Sequence, residues 1–191
     1  VVLMSCDNIG RFRPFPNIKK RPCIFEVLYF ARPGSVFGGK SLYECRKDFG
    51  HGLAAGAPCS AGVGYPVPDS GVPAALGYAE AAGIPFELGI IRNHYVGRTF
   101  IEPQQSTRDF GVKLKHNINR NAVKGKNVVL IDDSIVRGTT SIKIVELMRQ
   151  EGAQEVHMEI ASPQIKSPAF YGLDTPDKAQ LLASLKSEAT M

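Results

Sequence analysis

The chain has 191 residues, of which 43% are hydrophobic and 21% are charged, and its formal net charge is +5. This length suits one domain with a core of its own, because typical domains have roughly 100–200 residues. No apolar run approaches the ~18 residues of a membrane span and no fixed-period repeat indicates a solenoid, so both classes are excluded. The mildly basic balance suits a polyanionic ligand, either a nucleic acid or a phosphorylated small molecule.

The four cysteines are widely spaced and form no CxxC pair, which argues against a zinc ribbon or a thioredoxin-type site. They are Cys6, Cys23, Cys45 and Cys59. We expect four reduced thiols and a cytoplasmic location, because disulfides are rare in reducing compartments.

Residues 1–22 are predicted to form an extended connector, since prolines at this density break helices. The basic triplet Lys19-Lys20-Arg21 is more typical of a solvated stretch than of a localisation or nucleic-acid signal. No basic region precedes the apolar run Val1–Met4, so this run is not a signal peptide. We expect the sequence to be a piece of a longer protein.

Strand and helix patterns alternate after Pro22. The run Cys23–Phe30 contains β-branched and aromatic residues and predicts the first strand. Capping residues, apolar spacing and terminal glycines predict the elements that follow. These are a helix from Ser41 to about His51 with Leu42, Cys45 and Phe49 on one face, a strand over Val63–Val67, a helix over Ser70–Ala82 and a strand over Phe86–Ile91.

The stretch Arg92–Lys126 is long, polar and strongly basic. It holds eight basic and two acidic residues, a net charge of +6. A loop of this length within a compact domain is usually a functional lid or a disordered insert, and its apolar residues favour the lid. A short helix over Arg108–His116 is predicted within it.

The clearest unit is a strand, a helix and a second strand. Asn127–Asp132 is a continuous apolar run, as expected of a central parallel strand. The helix is predicted over Thr140–Arg149 and the next strand over Glu155–Ile160. This βαβ unit predicts an α/β fold with a parallel sheet. A final helix is predicted over residues 176–186.

Residues 128–140 are the strongest candidate for a ligand-binding motif. Asp132 and Asp133 come at the carboxyl tip of a buried strand, where ligands bind in open α/β sheets. A polar turn then leads into a helix N-terminus, whose N–H groups and dipole suit an anion. The segment therefore combines acceptors for sugar hydroxyls with a phosphate cradle. It contains neither a Walker A loop nor a GxGxxG dinucleotide loop.

This segment resembles the phosphoribosyl-pyrophosphate (PRPP) motif of type I phosphoribosyltransferases. Other blocks are similar to the amidophosphoribosyltransferase family, and the resemblance covers residues 1 to about 186. The blocks are Cys23-Ile24-Phe25-Glu26, Tyr29-Phe30-Ala31-Arg32-Pro33, Pro66-Val67-Pro68-Asp69-Ser70-Gly71, Arg92 to Ile101 and Phe170 to Pro176. The resemblance implies a central, mostly parallel sheet flanked by helices, with a flexible lid loop. Residues 1–22 would be the connector from an N-terminal glutaminase domain, and residues 23–191 the phosphoribosyltransferase domain.

The resemblance also implies an activity and the residues that perform it. The family transfers ammonia, taken from glutamine, to C1 of PRPP, which gives 5-phosphoribosylamine and pyrophosphate at the start of purine synthesis. Asp132, Asp133 and Arg98 would be catalytic, and Ser70 with the two aspartates would hold Mg²⁺. The residues implied to bind PRPP are Asp69, Ser70, Gly71, Arg92, Tyr95, Asp132, Asp133, Ser134, Arg137, Gly138, Thr139 and Thr140.

Residues 92–104 match a loop that closes over the site, where Arg92 and Arg98 can cover the diphosphate and exclude water. The expected partners are PRPP and ammonia or glutamine, a homo-oligomer (dimer or tetramer) and purine nucleotides acting as feedback inhibitors. Neither a nucleic acid nor a membrane is expected as a partner.

Two features depart from the family. We expect the glutaminase half to lie outside this sequence, because Cys6 lies in the predicted connector and cannot serve as the N-terminal nucleophile. Some members carry a four-cysteine iron–sulfur cluster; Cys23 matches the first ligand, but Ala169 occupies the second ligand position. A cluster needs its thiolates, so we expect none here and expect Cys23 to be a buried strand residue.

Two alternatives remain open at this point. One is a transcriptional regulator that binds PRPP and nucleic acid without catalysis, although no basic recognition helix is evident. The other is a purine-base salvage phosphoribosyltransferase, against which the matching blocks outside residues 128–140 argue.

Overall fold

The computed structural model of the protein describes residues 1–17, 19, 22–93, 116–169 and 177–185. Its strands are β1 (Val2–Met4), β2 (Ile9–Arg11), β3 (Val36–Phe37), β4 (Lys40–Ser41), β5 (Val63–Pro66), β6 (Ile90–Arg92), β7 (His116–Ile118), β8 (Asn127–Asp132) and β9 (Glu155–Ile160). Its helices are α1 (Leu42–Gly56), α2 (Val72–Ala82), α3 (Arg120–Val123), α4 (Thr139–Gln150) and α5 (Leu182–Leu185), with a π-helical turn over Glu26–Phe30 and a 3-10 turn over Lys178–Gln180. No helix in these ranges is long and apolar enough to cross a membrane.

A three-stranded parallel sheet in the order β5–β8–β9 positions the candidate site. The central strand, β8, is buried on both faces, which explains its continuous apolar run. In the register of the sheet, Val63 pairs with Val128 and Asp132 pairs with Ile160. The predicted βαβ unit and the predicted bounds of β8 and β9 are confirmed.

The core has two parts, one on each face of this sheet. On one face, Tyr65 packs with Ile144 and Met148 of α4. On the other face, Ile131 packs with Tyr78 of α2 and with several alanines. The sheet is therefore covered by helices on both sides, and ligands of such sheets bind at the carboxyl edge.

Helix α1 begins where the sequence predicts and runs further. Ser41 and Glu44 form a capping box at its start. The helix continues past His51 to Gly56, because Ala54 and Ala55 favour helix and Ala54 packs in the core cluster that includes residues of α2. The most buried stripe is Leu42, Arg46, Gly50 and Ala54, whereas the predicted face members Cys45 and Phe49 are only half-buried.

Helix α2 follows the strand–turn segment that carries part of the site. It starts at Val72 rather than at Ser70, with Pro73 in its first turn, and it ends at Gly83 in the left-handed conformation, as the sequence predicts. Gly50 and Gly77 let α1 and α2 approach closely. A Cβ at Gly77 would lie 2.0 Å from the Lys47 carbonyl oxygen.

The prediction of a strand over Cys23–Phe30 is wrong. This segment is helical over most of its length, with Ala31 N–H donating to the Glu26 carbonyl at 3.0 Å. Its carbonyl groups bind the Arg46 guanidinium instead of a neighbouring strand: Arg46 donates to Val27 O at 2.8 Å and to Ala31 O at 2.7 Å. Cys23 is exposed and lies before the turn, so its expected burial in a strand is also wrong.

Three further predictions hold only in part. The strand expected over Phe86–Ile91 is a single bridge from Phe86 to Gly64 followed by β6, which pairs antiparallel with β7; Gly89, pressed against the Tyr65 ring, separates the two pieces. Residues 1–22, which the sequence predicts to be extended, contain an antiparallel hairpin of β1 and β2. In place of one final helix, the described residues 177–185 hold the 3-10 turn and α5.

Most of the predicted lid and the short helix predicted from Arg108 lie outside the described residues, as do residues 170–176 and 186–191.

Candidate active site

Two adjacent carboxylates stand at the carboxyl end of β8. Asp132 ends the strand, Asp133 follows it, and both residues are buried. The Asp133 backbone N–H donates to Asp132 Oδ1 at 2.8 Å, which fixes the orientation of the first carboxylate. Burial raises the pKa of Asp132 well above its ordinary value, and the side-chain hydrogen bond with Asp133 and the charge of that carboxylate act in the same direction, whereas the backbone hydrogen bond from Asp133 lowers this pKa. A cation or a sugar hydroxyl bound here would offset the cost of burying this pair.

The turn between β5 and α2 brings a hydroxyl to these carboxylates. Ser70 Oγ donates to Asp133 Oδ1 at 3.1 Å. The Val67 N–H donates to the Ile131 carbonyl at 2.9 Å, so the turn runs beside the end of β8. Gly71 is required by this close approach, because a Cβ there would lie 2.5 Å from Ile131 O. The peptide bond between Pro68 and Asp69 is cis.

Arg92 adds a cation to the same turn. It ends β6, and its Nη1 donates to Asp69 Oδ2 in an ion pair. Its Nε is buried and has no hydrogen-bond partner within the described residues. A buried N–H without an acceptor is costly, so a bound anion at this position would satisfy it.

The loop Ser134–Gly138 leads from the carboxylates into α4. Ser134 Oγ donates to Asp133 Oδ2 at 3.3 Å. Gly138 adopts a left-handed conformation with φ of 79°, and no side chain of the described residues caps the helix. The first N–H groups of α4 are therefore available to an anion, with the hydroxyls of Thr139 and Thr140 beside them.

Arg46 is a buried cation that the sequence reasoning missed. It is 5% exposed, and burial lowers its pKa while the charge of Asp133 acts in the opposite direction. Its guanidinium thus balances part of the negative charge of the aspartate pair while tying the Glu26–Phe30 turn to α1. The signal was present in the sequence: Arg46 lies four residues after Leu42 and four before Gly50, in the middle of the stripe that faces the core.

The structure brings the described members of the predicted site to one edge of the sheet. The turn with Asp69, Ser70 and Gly71 is linked to Asp133 by Ser70 and to Arg92 by Asp69. The loop from Ser134 to Thr140 continues from the same aspartates. Tyr95 and Arg98 lie outside the described residues. The roles assigned to individual residues stay predictions.

The sequence matches the family model of the phosphoribosyl transferase domain over residues 66–161, just over half of the chain. These residues include the last residue of β5, the turn after it, β8, the loop Ser134–Gly138, α4 and β9. The chain belongs to this family. The phosphoribosyltransferase fold that the sequence predicts, with a parallel sheet flanked by helices, is confirmed.

Relatives of this phosphoribosyltransferase chain share one name. An amidophosphoribosyltransferase of Rhizobium etli is 63% identical over 177 residues, which is 93% of this chain and 36% of that protein. A chloroplastic amidophosphoribosyltransferase of Glycine max is 57% identical over 187 residues, which is 98% of this chain and 33% of that protein. This chain thus spans about a third of the length of these relatives.

A similar structure is the glutamine PRPP amidotransferase of B. subtilis, solved in complex with ADP and GMP. Its TM-score to this chain is 0.84 at 47% identity, and the match covers 97% of this chain and 41% of that one. A structure described as the allosteric regulatory enzyme of purine biosynthesis gives the same TM-score. These names favour an amidophosphoribosyltransferase over the transcriptional regulator and the base-salvage enzyme.

Proposed function

We propose that this chain is the phosphoribosyl-transfer part of an amidophosphoribosyltransferase, which joins ammonia to C1 of PRPP in purine biosynthesis. The observation that carries the proposal is the contact of Ser70 with Asp133. This contact links the turn Asp69–Gly71, which suits pyrophosphate, to the aspartate pair, which suits the ribose hydroxyls. The N-terminus of α4, which follows the same aspartates, suits the 5′-phosphate. One substrate, PRPP, carries all three groups, and the names of the relatives agree with it.

In this proposal each part of the substrate has its own partners. The 5′-phosphate binds the loop Ser134–Thr140 through backbone N–H groups, hydroxyls and Arg137. The ribose hydroxyls donate to Asp132 and Asp133. The pyrophosphate binds the turn Asp69–Gly71, where the unpartnered Nε of Arg92 can donate to it. Tyr95 and Arg98 complete the pyrophosphate side on the family resemblance alone.

The reaction forms a C1–N bond and breaks the C1–O bond to pyrophosphate, which leaves with the bonding electron pair. The attacking ammonia, once bonded to C1, gives one proton to solvent water and becomes the amine of 5-phosphoribosylamine. C1 gains positive character as the bond breaks, and the two buried carboxylates stabilise it electrostatically. Arg92 and Arg98, on the pyrophosphate side of the site, stabilise the negative charge that develops on the leaving pyrophosphate.

The donor set fits Mg²⁺, which binds hard oxygen ligands. Asp133 and Ser70 place a carboxylate and a hydroxyl within 3.1 Å of each other, and Asp132 adds a buried carboxylate whose charge has no cation bonded to it among the described residues. We propose that these three residues hold the ion. When bound, Mg²⁺ supplies charge neutralisation for the pyrophosphate.

The remaining parts of the proposal concern the whole protein. Residues 1–22 would connect to a glutaminase domain and residues 23–191 would form the transferase domain, with glutamine as the source of ammonia. We also propose a homo-oligomer, feedback by purine nucleotides, a cytoplasmic location and the absence of an iron–sulfur cluster. The proposal that there is no cluster rests on Ala169, which occupies the position of the second cluster ligand.

The experiment is to measure pyrophosphate release from PRPP by this chain in the presence of Mg²⁺. We expect release with ammonium chloride, because ammonia is the nucleophile of the proposed reaction. The Asp133→Asn variant should lose most of this activity, whereas Ser60→Ala, a change at an exposed serine, should retain it. Absence of release with ammonium from a sample that unfolds cooperatively would overturn the proposal. Turnover with a purine base instead would support the salvage enzyme.

A further inference from the structure

A short segment near the end of the described chain, residues 177–185, is folded on itself. The Gln180 N–H donates to the Asp177 carbonyl at 2.8 Å and the Leu181 N–H to the Lys178 carbonyl at 3.2 Å. Ser184 Oγ donates to Leu181 O at 2.9 Å. The Leu181 side chain is fully buried and anchors the segment to the domain. We call residues 177–185 the clamp segment.

The clamp segment contacts the loop Ser134–Gly138 at three points. The Leu182 N–H donates to the Val136 carbonyl at 2.9 Å. Arg137 Nε donates to Gln180 Oε1 at 3.0 Å, across 43 positions of sequence. The Leu182 side chain lies over Gly138, where a Cβ would approach Leu182 Cδ2 to 3.1 Å. The loop is therefore held from outside by a segment that the phosphate motif does not include.

Apolar packing alone does not fix this arrangement. A largely apolar cavity of about 520 Å³ lies between the clamp segment, the loop and α4, and Ile135, Gly138, Leu182 and Ala183 all border it. A segment that borders a cavity can shift without a clash, since the space beside it is not filled. The buried Leu181 side chain anchors the clamp segment, and the two hydrogen bonds set its position relative to the loop.

We propose that Gln180 and Leu182 are positioning residues, which hold the loop Ser134–Gly138 in the conformation that binds the 5′-phosphate of the substrate. The inference rests on the proposed function and extends it to residues outside the motif. Gln180 Oε1 accepts the hydrogen bond from Arg137 Nε and so orients the guanidinium. In this orientation the N–H groups on Nη1 and Nη2 can donate to the phosphate. Leu182 holds Val136 through its backbone and thereby fixes the residue before Arg137.

The first test compares two ligands by isothermal titration calorimetry on the full chain. Ribose 5-phosphate probes the loop, and pyrophosphate with Mg²⁺ probes the Asp69–Gly71 turn. Gln180→Met keeps the side-chain length and removes the acceptor, so it should weaken ribose 5-phosphate about tenfold, the effect of losing one hydrogen bond to a charged group. Pyrophosphate binding should stay within a factor of about two, because the hydrogen bonds found for the clamp segment within the described residues go to the loop Ser134–Gly138 and not to the Asp69–Gly71 turn.

The matched control is Gln150→Met, the same change at an exposed glutamine at the far end of α4. It should leave the binding of both ligands unchanged. Equal weakening of both ligands by Gln180→Met would indicate a general loss of structure and would overturn the inference, as would unchanged binding of ribose 5-phosphate. Failure of the unmodified chain to bind either ligand would instead contradict the proposed function.

A double-mutant cycle tests whether Gln180 acts through Arg137. In the Arg137→Met background, Gln180→Met should have no further effect on ribose 5-phosphate, because the group that it orients is gone. An additive effect of about tenfold would show that Gln180 acts by another route and would overturn its assignment.

The role of the Leu182 backbone is tested by two substitutions at that position. Leu182→Ala removes the side chain and keeps the N–H, whereas Leu182→Pro removes both. Proline is tolerated at the first residue of a helix, and Leu181 already has the extended conformation that precedes proline, with φ of −82° and ψ of 118°. We expect Leu182→Pro to bind ribose 5-phosphate several-fold more weakly than Leu182→Ala. Equal affinity of the two variants would overturn the role of the N–H.

Discussion

The two faces of the parallel sheet support the two halves of the candidate site in different ways. On one face, α2 packs against α1 with the backbones nearly in contact, and the turn Asp69–Gly71 runs directly into α2. On the other face, α4 covers the sheet with large side chains such as Ile144 and Met148. The loop before α4 depends for its position on the clamp segment.

The turn Asp69–Gly71 is thus part of the packed core, whereas the loop Ser134–Gly138 is held by contacts from a segment distant in sequence. The turn Asp69–Gly71 is fixed by neighbours in the sheet, through the Val67 bond to Ile131 and the close approach of Gly71 to β8. The loop Ser134–Gly138 is fixed by residues more than forty positions away. We therefore expect core substitutions to affect the pyrophosphate side through stability, and substitutions in the clamp segment to affect phosphate binding selectively.

The largest effect is expected from Gly77→Ala on the tightly packed face. A Cβ there would lie 2.0 Å from Lys47 O, a backbone atom that cannot move without shifting α1. Overpacking of this kind should lower the free energy of unfolding by about 3 kcal/mol. Urea unfolding followed by circular dichroism measures the change.

The matched control is Gly52→Ala on α1, where a Cβ would meet nothing within 4 Å. Alanine favours helix over glycine, so this variant should be as stable as the parent or more stable by up to about 1 kcal/mol. Equal destabilisation by the two substitutions would show that the helix contact is not the cause.

Much of this comparison could be predicted from the sequence, because both motifs are local. The β8 strand, the aspartate pair and the loop into α4 follow from an apolar run and from turn residues that stand next to one another. The contacts that support them could not be predicted in this way. Arg46 reaches the Glu26–Phe30 turn and Gln180 reaches Arg137 across long stretches of chain, and no periodicity links such residues. The strand predicted over Cys23–Phe30 failed for the same reason, since a distant arginine binds its carbonyl groups.

A second effect concerns Tyr65 on the α4 face at alkaline pH. Its hydroxyl donates to the Ala122 carbonyl within the core. Burial, with a smaller effect of the Glu87 charge, raises the pKa of Tyr65 to about 12. The folded protein thus holds the phenol proton more tightly than the unfolded chain, whose tyrosines have a pKa of about 10. This contribution to stability is present below pH 10 and is lost as the pH rises from 10 through 12.

The loss should reach about 2–3 kcal/mol in the free energy of unfolding at pH 12, at 1.36 kcal/mol for each pKa unit. Urea unfolding at pH 8, 10 and 11 measures this loss as the change with pH in the difference between the unfolding free energies of the parent and of Tyr65→Phe. The variant should be less stable by about 1 kcal/mol at pH 8, where it lacks the hydrogen bond, and this gap should shrink as the pH rises. Tyr43→Phe, at an exposed tyrosine, is the control. A gap that stays constant with pH would contradict the prediction.

The smallest effect distinguishes the two serines that donate to Asp133. Ser70 reaches Oδ1 from the α2 side and Ser134 reaches Oδ2 from the α4 side. Ser70→Ala should weaken the binding of pyrophosphate with Mg²⁺ by about five- to tenfold, because it removes one hydroxyl from that side of the site. Ser134→Ala should instead weaken ribose 5-phosphate by a similar factor.

Titration calorimetry with both ligands on both variants measures this crossed pattern, and Ser60→Ala, at an exposed serine, is the control. The crossed result depends on the two halves binding their ligands independently, although they share one carboxylate. If each serine variant weakened both ligands equally, Asp133 would couple the halves, and the carboxylate rather than the two loops would be the unit that binds the substrate. Gln180→Met tests the same division of the site from the clamp segment, where a selective loss of ribose 5-phosphate binding is expected.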